Sequence, residues 1–152
     1  MNLGEALSLL KKERSRLSRL IELRKDHVYL EEGKKSEFDI KKLSAEINEK
    51  IEKIRKLKIM IQRANLDTFL MGEKMSLAEA IIKVGDIRSK IASLSAVFER
   101  KRSSWCYDKD TKNFVSQLDE SEIEDEIEKL EVEKASLDNK IQITNWNTKI
   151  ED

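Results

Sequence analysis

The sequence predicts an all-α protein: tandem long helical hairpins, made by internal duplication, that form an antiparallel four-helix bundle or coiled coil with short β-ribbon-like tips. Three observations carry this. First, the chain repeats itself. Met1-Asn2-Leu3-Gly4-Glu5-Ala6-Leu7 returns as Met75-Ser76-Leu77-Ala78-Glu79-Ala80-Ile81, an offset of 74 positions, and the segment 61–68 returns as 141–148, an offset of 80. A repeat of this length is one supersecondary unit used twice. Second, apolar residues step by 4 and 3 through both copies, as in a heptad pattern. Third, 39 % of the 152 residues are charged, 5 % are aromatic and none is proline, which suits long helices. The regular apolar spacing separates this chain from a disordered one of equal charge.

The first predicted helix starts at Asn2, an N-cap with Glu5 three residues on, as in a capping box. Ser76 and Glu79 repeat that relation in copy two. The first helix then runs Leu3, Leu7, Leu10, Arg14, Leu17, Ile21, Arg24, Val28, with Ala6 and Leu20 flanking. The third runs Leu77, Ile81, Val84, Arg88, Ile91, Ser95, Phe98, with Ala80, Ile87 and Leu94 flanking. The wide stripe suits a bundle better than a bare two-stranded coil.

The second helix carries Ile40, Leu43, Ile47, Ile54, Leu57, Ile61 and Ala64, interrupted by Lys50. The fourth carries Ile123, Ile127, Leu130, Leu137 and Ile141, interrupted by Lys134. Ser36 or Asp39 caps the second; Asp119 or Ser121 caps the fourth. Asn65 and Asn145 follow the last apolar residues. Asn tolerates the left-handed conformation that ends helices, so both read as chain stops.

Between the helices lie Glu31–Lys35 with Gly33, Asp67–Lys74 with Gly72, and Ser103–Gln117. The change of offset places a six-residue insertion in the last of these. There, Trp105-Cys106-Tyr107 and Phe114-Val115-Ser116 flank a polar stretch and read as a β-hairpin. A weaker echo surrounds Tyr29 and Phe38. Helices of about 25 residues are about 37 Å long, and two hairpins packed together share one core. The alternative is two splayed hairpins, each packing on another subunit. Residues 1–152 form one helical domain with repeats 1–74 and 75–152.

Thirty basic residues balance thirty acidic ones. That balance gives no overall reason to bind nucleic acid or an acidic membrane. Acidic residues crowd Asp119–Glu133, and basic ones lean on Lys41–Arg63, which points first to solvated faces of opposite sign. Cys106 is the sole cysteine, so no internal disulfide framework exists. No secretory signal or membrane-length apolar run is apparent, so the expected location is the cytoplasm.

Few residues carry chemistry. Arg14 and Arg88 match at offset 74 on the predicted seam, where an unpaired charge is costly. Antiparallel counting pairs Arg14 with Glu52 and Arg88 with Glu133. His27 is the only histidine and sits where a cation suits the helix dipole; no nucleophile is placed beside it. One His and one Cys cannot build the usual zinc ligand sets. No EF-hand or phosphate-binding glycine loop appears. No catalytic, cofactor or metal residue is assigned, and no small-molecule substrate is evident. Trp105, Tyr107 and Phe114 form the expected contact surface for a second subunit, since aromatics are enriched at interface cores.

The segments Leu3-x-Glu5-Ala6-Leu7, Asn65-x-x-Thr68, Leu77-x-Glu79-Ala80 and Asn145-Trp146-Asn147-Thr148 resemble the septicolysin-like family of small bacterial proteins. The resemblance covers nearly the whole chain. It implies a bacterial, helix-rich protein of unassigned activity, and the family name suggests a cytolysin. The residues themselves point to a non-enzymatic structural or interaction protein that self-associates, a homo-oligomer. The alternatives are a module that binds an acidic partner or nucleic acid through the basic face of the second helix, and, as the name of the resembled family suggests, a membrane-active, cytolysin-like protein.

Overall fold

The computed structural model describes residues 1–99 and 115–150. The fold is all-helical, as predicted. Four long helices, α1 (Leu3–His27), α2 (Ile40–Asp67), α3 (Leu77–Ser95) and α4 (Glu120–Asn147), pack in antiparallel pairs, α1 with α2 and α3 with α4. The chain divides into two compact units. One is Met1–Thr68 with Thr144–Asp152, and the other is Phe69–Ile143.

Each helix starts on a side chain that satisfies the orphan amides of its first turn. Asn2 and Glu5 form the predicted capping box, with Glu5 N–H donating to Asn2 Oδ1 at 2.7 Å and Asn2 N–H donating to Glu5 Oε2 at 2.8 Å. Ser76 and Glu79 repeat it. Asp39, rather than Ser36, caps α2, accepting from Lys41 and Lys42 N–H. Asp119 does the same for α4, with Ser121 and Glu122. Ser36 and Ser116 instead brace the approach: each hydroxyl donates to the carbonyl two residues on and accepts that residue's N–H. This Ser-x-x-Asp device repeats at offset 80, so the insertion in copy two lies before Ser116.

Asn65 and Asn145 do not act as left-handed stops. Both lie within the last helical turn, and no described non-glycine residue has positive φ. The stop is the threonine three residues later. Thr68 is extended (φ −101°, ψ 133°) and its N–H reaches back to the Ala64 carbonyl at 3.0 Å. Thr148 N–H and Oγ1 both donate to the Thr144 carbonyl. The β-branched threonine favours the extended form, and the chain is drawn straight into a short antiparallel bridge.

These bridges are the extended pairing of the described fold, and they lie away from the tips. Asn2 bridges Lys149, and Phe69 bridges Ser76. Ile150 N–H donates to the Met1 carbonyl at 3.0 Å, and Leu70 N–H to the Met75 carbonyl at 2.9 Å. The residues match at offsets 80 and 74, so the repeat shares its joint as well as its helices. Gly72, at φ 77°, turns the chain between Leu70 and Met75.

The ribbon expected at the first tip is absent. Residues 28–39 contain no strand, and Tyr29 is 92 % exposed. A lone two-stranded ribbon is marginal in water, and the stretch between its would-be strands, Glu31-Glu32-Gly33-Lys34-Lys35, is charged apart from its glycine. The second predicted ribbon lies largely outside the described residues.

Candidate functional site

The buried seam of α1 is Leu3, Ala6, Leu10 and Glu13, continued by the half-buried Leu17, Leu20, Arg24 and His27. Half of the predicted seam is therefore displaced by one residue. Leu7, Arg14, Ile21 and Val28 lie on the exposed flank, while Ala6, Glu13, Leu20 and His27 face the partner helix. The same shift occurs in α3, where Leu77, Ala80, Val84 and Ile87 are buried and Ile81 and Arg88 are exposed. In α2 the predicted seam holds throughout, with Lys50 facing inward.

The shift puts a carboxylate in the core of the first hairpin. Glu13 is 1 % exposed. Lys50 Nζ donates to its Oε2 and Lys53 Nζ to its Oε1, both at 2.9 Å. Arg16 approaches at 3.8 Å. The hydrogen bonds from Lys53 and then Lys50 hold the carboxyl at about 2, overcoming the upward push of burial.

The predicted Arg14–Glu52 pair does not form. Glu52 pairs with Arg55 one turn along its own helix, and Arg14 lies on the flank beside Leu7, Lys11 and Ser18, lining a shallow groove. The antiparallel register behind that prediction was nearly right: the inward charge is Glu13, one residue away.

Copy two has solved the same positions differently. Ile87 stands where copy one has Glu13, and Leu130 where it has Lys50. Its charges lie further out. Glu133 pairs with Lys83 at 2.7 Å, not with Arg88. That carboxylate raises the Lys83 ammonium. Arg88 reaches Asp138 at 3.8 Å, and Lys134 reaches it at 3.1 Å. Lys90 pairs with Glu126 at 2.6 Å, and Lys140 with Glu73. The copy-one match of Asp138 is Lys58, a cation, which is why Arg14 lacks the carboxylate its counterpart finds.

His27 closes the seam of α1. Its Nδ1–H donates to the Leu23 carbonyl at 2.9 Å, and its ring meets Phe38 edge-on at 4.5 Å. Trp105, Tyr107 and Phe114 lie outside the described residues. Trp146 lies against α1: a Cβ on Gly4 would stand 2.9 Å from its ring. Among the described residues no three His, Cys, Asp or Glu side chains gather as a metal ion requires. No described helix is long and apolar enough to cross a membrane.

Residues 11–150 match DUF6847, a family of unknown function. The chain belongs to this family. The DUF6847 match takes in Glu13, Lys50 and Lys53 as well as both joints' threonines, while Asn2 and Glu5 precede it. In structure the chain is similar to a functionally unknown conserved protein from Corynebacterium diphtheriae, at 27 % identity, TM-score 0.88 and 99 % coverage of each chain. No curated protein matches it.

The residue that sequence reading missed is Glu13. A signal for it existed. Lys50 interrupts the α2 seam, and an inward lysine needs a carboxylate opposite. Counting back across the hairpin from Lys50 reaches Glu13 within a turn.

Proposed function

We propose that this is a non-enzymatic, cytoplasmic interaction protein that works by self-association of its helical hairpins. The observation that carries this is the displaced seam. With Ala6, Glu13 and Leu20 facing inward, α1 is left with a second line of apolar residues at heptad spacing: Leu7 and Ile21 are each 38 % exposed and Val28 51 %. Apolar residues at that spacing on a solvent face suit a further helix. Light scattering on the eluting chain tests the reading. A mass of two or more chains that falls on dilution is expected; a single-chain mass at every concentration up to the solubility limit would end it.

A second reading has one observation in its favour. Lys41, Lys42, Lys56, Lys58 and Arg63 are exposed along α2, which suits an acidic partner. Phosphate contacts would make binding to nucleic acid fall steeply with salt; salt-independent or absent binding counts against it.

A further inference from the structure

The two hairpins have diverged in charge. α1 and α2 together carry fifteen cationic and eight acidic side chains; α3 and α4 carry six and eleven. The divergence runs position by position. Lys12, Lys42, Lys53 and Lys58 of copy one match Asp86, Glu122, Glu133 and Asp138 of copy two, against one helical exchange the other way, Glu49 to Lys129.

Among the described residues, the charges without partners in the second hairpin are concentrated on α4; in the first they lie on both helices, with Lys41, Lys42, Lys56, Lys58 and Arg63 on α2, and those of α1 include the ones beside the exposed apolar residues Leu7 and Ile21. On α1, Lys11, Lys12, Arg14 and Arg19 are exposed and make no ion pair among the described residues. The sole acid between Glu5 and Glu22 is the buried Glu13. On α4, Glu124, Glu128 and Glu131 are likewise exposed and unpaired among the described residues. The two surfaces share a geometry. Leu7, Lys11 and Arg14 step by 4 and 3 along the line beside the buried seam; Glu124, Glu128 and Glu131 step by 4 and 3 along the equivalent line of α4. Such a line spans one helical face. The charged stretches, 8–21 and 120–133, are equal in length, about 21 Å each at 1.5 Å per residue.

We propose that the exposed line of α1 in one copy docks on the acidic line of α4 in a second copy of this chain. This rests on the self-association proposed above and names its surface. Each copy presents both lines, so each can offer its α1 line to one contact and its α4 line to another. Lys11 and Arg14 meet Glu124, Glu128 and Glu131, and Leu7 and Ile21 are covered beside them. Contacts of this kind weaken with ionic strength, because exposed charges are screened within about 8 Å at physiological salt.

Two multiple variants of the full chain test it. One is Lys11→Glu, Arg14→Glu; the other is Glu124→Lys, Glu128→Lys, Glu131→Lys. All five side chains are exposed, and circular dichroism is the check that each variant keeps its helices. Wild type is expected to associate in 50 mM salt and to lose at least tenfold in affinity at 500 mM. Each variant alone is expected to run as a single chain, since both of its lines carry one sign. An equimolar mixture is expected to restore the wild-type mass, because each variant supplies the sign the other lacks at both contacts. If wild type associates and neither variant changes its mass, self-association stands and this surface falls. If wild type is a single chain in 50 mM salt, both fall. If wild type binds a short DNA duplex and the first variant does not, while self-association is unaffected by either, α1 is a nucleic-acid surface and the proposal is overturned.

Discussion

Glu13 is the residue whose environment departs furthest from its type. A carboxylate 1 % exposed in a helical seam survives because two ammonium groups donate to separate oxygens. Replacing such a cluster with apolar residues is often neutral or stabilising, whereas removing one member leaves buried charge unpaired. The protein contains its own control, since copy two has Ile87 and Leu130 at the matching places. Glu13→Ala is expected to cost about 3 kcal/mol, the low end for a broken buried pair, because Lys53 is half exposed. Glu13→Ile with Lys50→Leu is expected to match wild type or exceed it. Chemical denaturation of the three proteins decides this; a double variant weaker than Glu13→Ala would show that the charge cluster is needed. The pH dependence has a definite sign. The Glu13 carboxyl falls from 4.5 to about 2 on folding, so its contribution is complete above about pH 4.5 and is lost as pH drops through about 2. Melts of wild type and Glu13→Gln should therefore converge between those values and stay apart above them. Gly4 offers a second test at this scale. A Cβ there would stand 2.9–3.1 Å from the Trp146 ring. Gly4→Ala gains about 1 kcal/mol of helix propensity but displaces the ring, at a cost of about 1–3 kcal/mol for overpacking. A net loss is expected. With Trp146→Leu, the residue type copy one carries as Leu66, the propensity gain should emerge alone.

Among the elements, the helices are fixed by their ends and by one face each, and those two kinds of information were not equally legible. Caps are local: Asn2-Glu5, Ser76-Glu79, Asp39 and Asp119 depend on residues within three positions, so the sequence displays them. Ser76→Ala is expected to cost about 1 kcal/mol. It should also raise the Glu79 carboxyl, which the Ser76 backbone N–H and then its hydroxyl hold below the usual range. A melt together with an NMR titration of Glu79 checks both, and an unmoved carboxyl with a lowered melt would assign the loss to packing instead. The seam frame is not local. The runs 3-7-10-14 and 3-6-10-13 both alternate 4 and 3, and Leu7 looks more like core than Ala6. The choice is made across the hairpin, where Lys50 and Lys53 require Glu13, and where alanine at 6 and 80 lets helices approach closely. Asn65 and Asn145 misled for a related reason. Their left-handed tendency is a local preference, overridden by the bridge that draws Thr68 and Thr148 into extended backbone. The exposed lines on α1 and α4 became visible only after the frame was settled, because Leu7 and Arg14 read as core until then.

For the molecule as a whole, the duplication is most exact where the copies meet the chain's turns. Leu70 N–H to Met75 carbonyl and Ile150 N–H to Met1 carbonyl are the same bond in matched residues, at 2.9 and 3.0 Å. In one case Met71-Gly72-Glu73-Lys74 connects the partners; in the other the partners, Met1 and Ile150, are far apart along the chain. The bridge therefore does not depend on the loop that spans it, and closing a four-residue loop adds little entropy cost. Met71 and Gly72 are exposed, and a Cβ at Gly72 would meet nothing within 4 Å, which marks the loop as a site where the backbone can be opened. A permuted chain follows from these facts: Met-Gly-Glu-Lys links Ile150 directly to Met1, and new ends fall between Gly72 and Glu73. It is expected to keep the helical content of the wild type and to melt cooperatively within about 4 °C of it, corresponding to about 1 kcal/mol. Glu73 stays joined to its helix and can still reach Lys140. A permuted chain that loses cooperativity would show that the Leu70–Met75 turn is needed to form the second hairpin, and that the two joints, alike in their bonds, differ in what they do during folding.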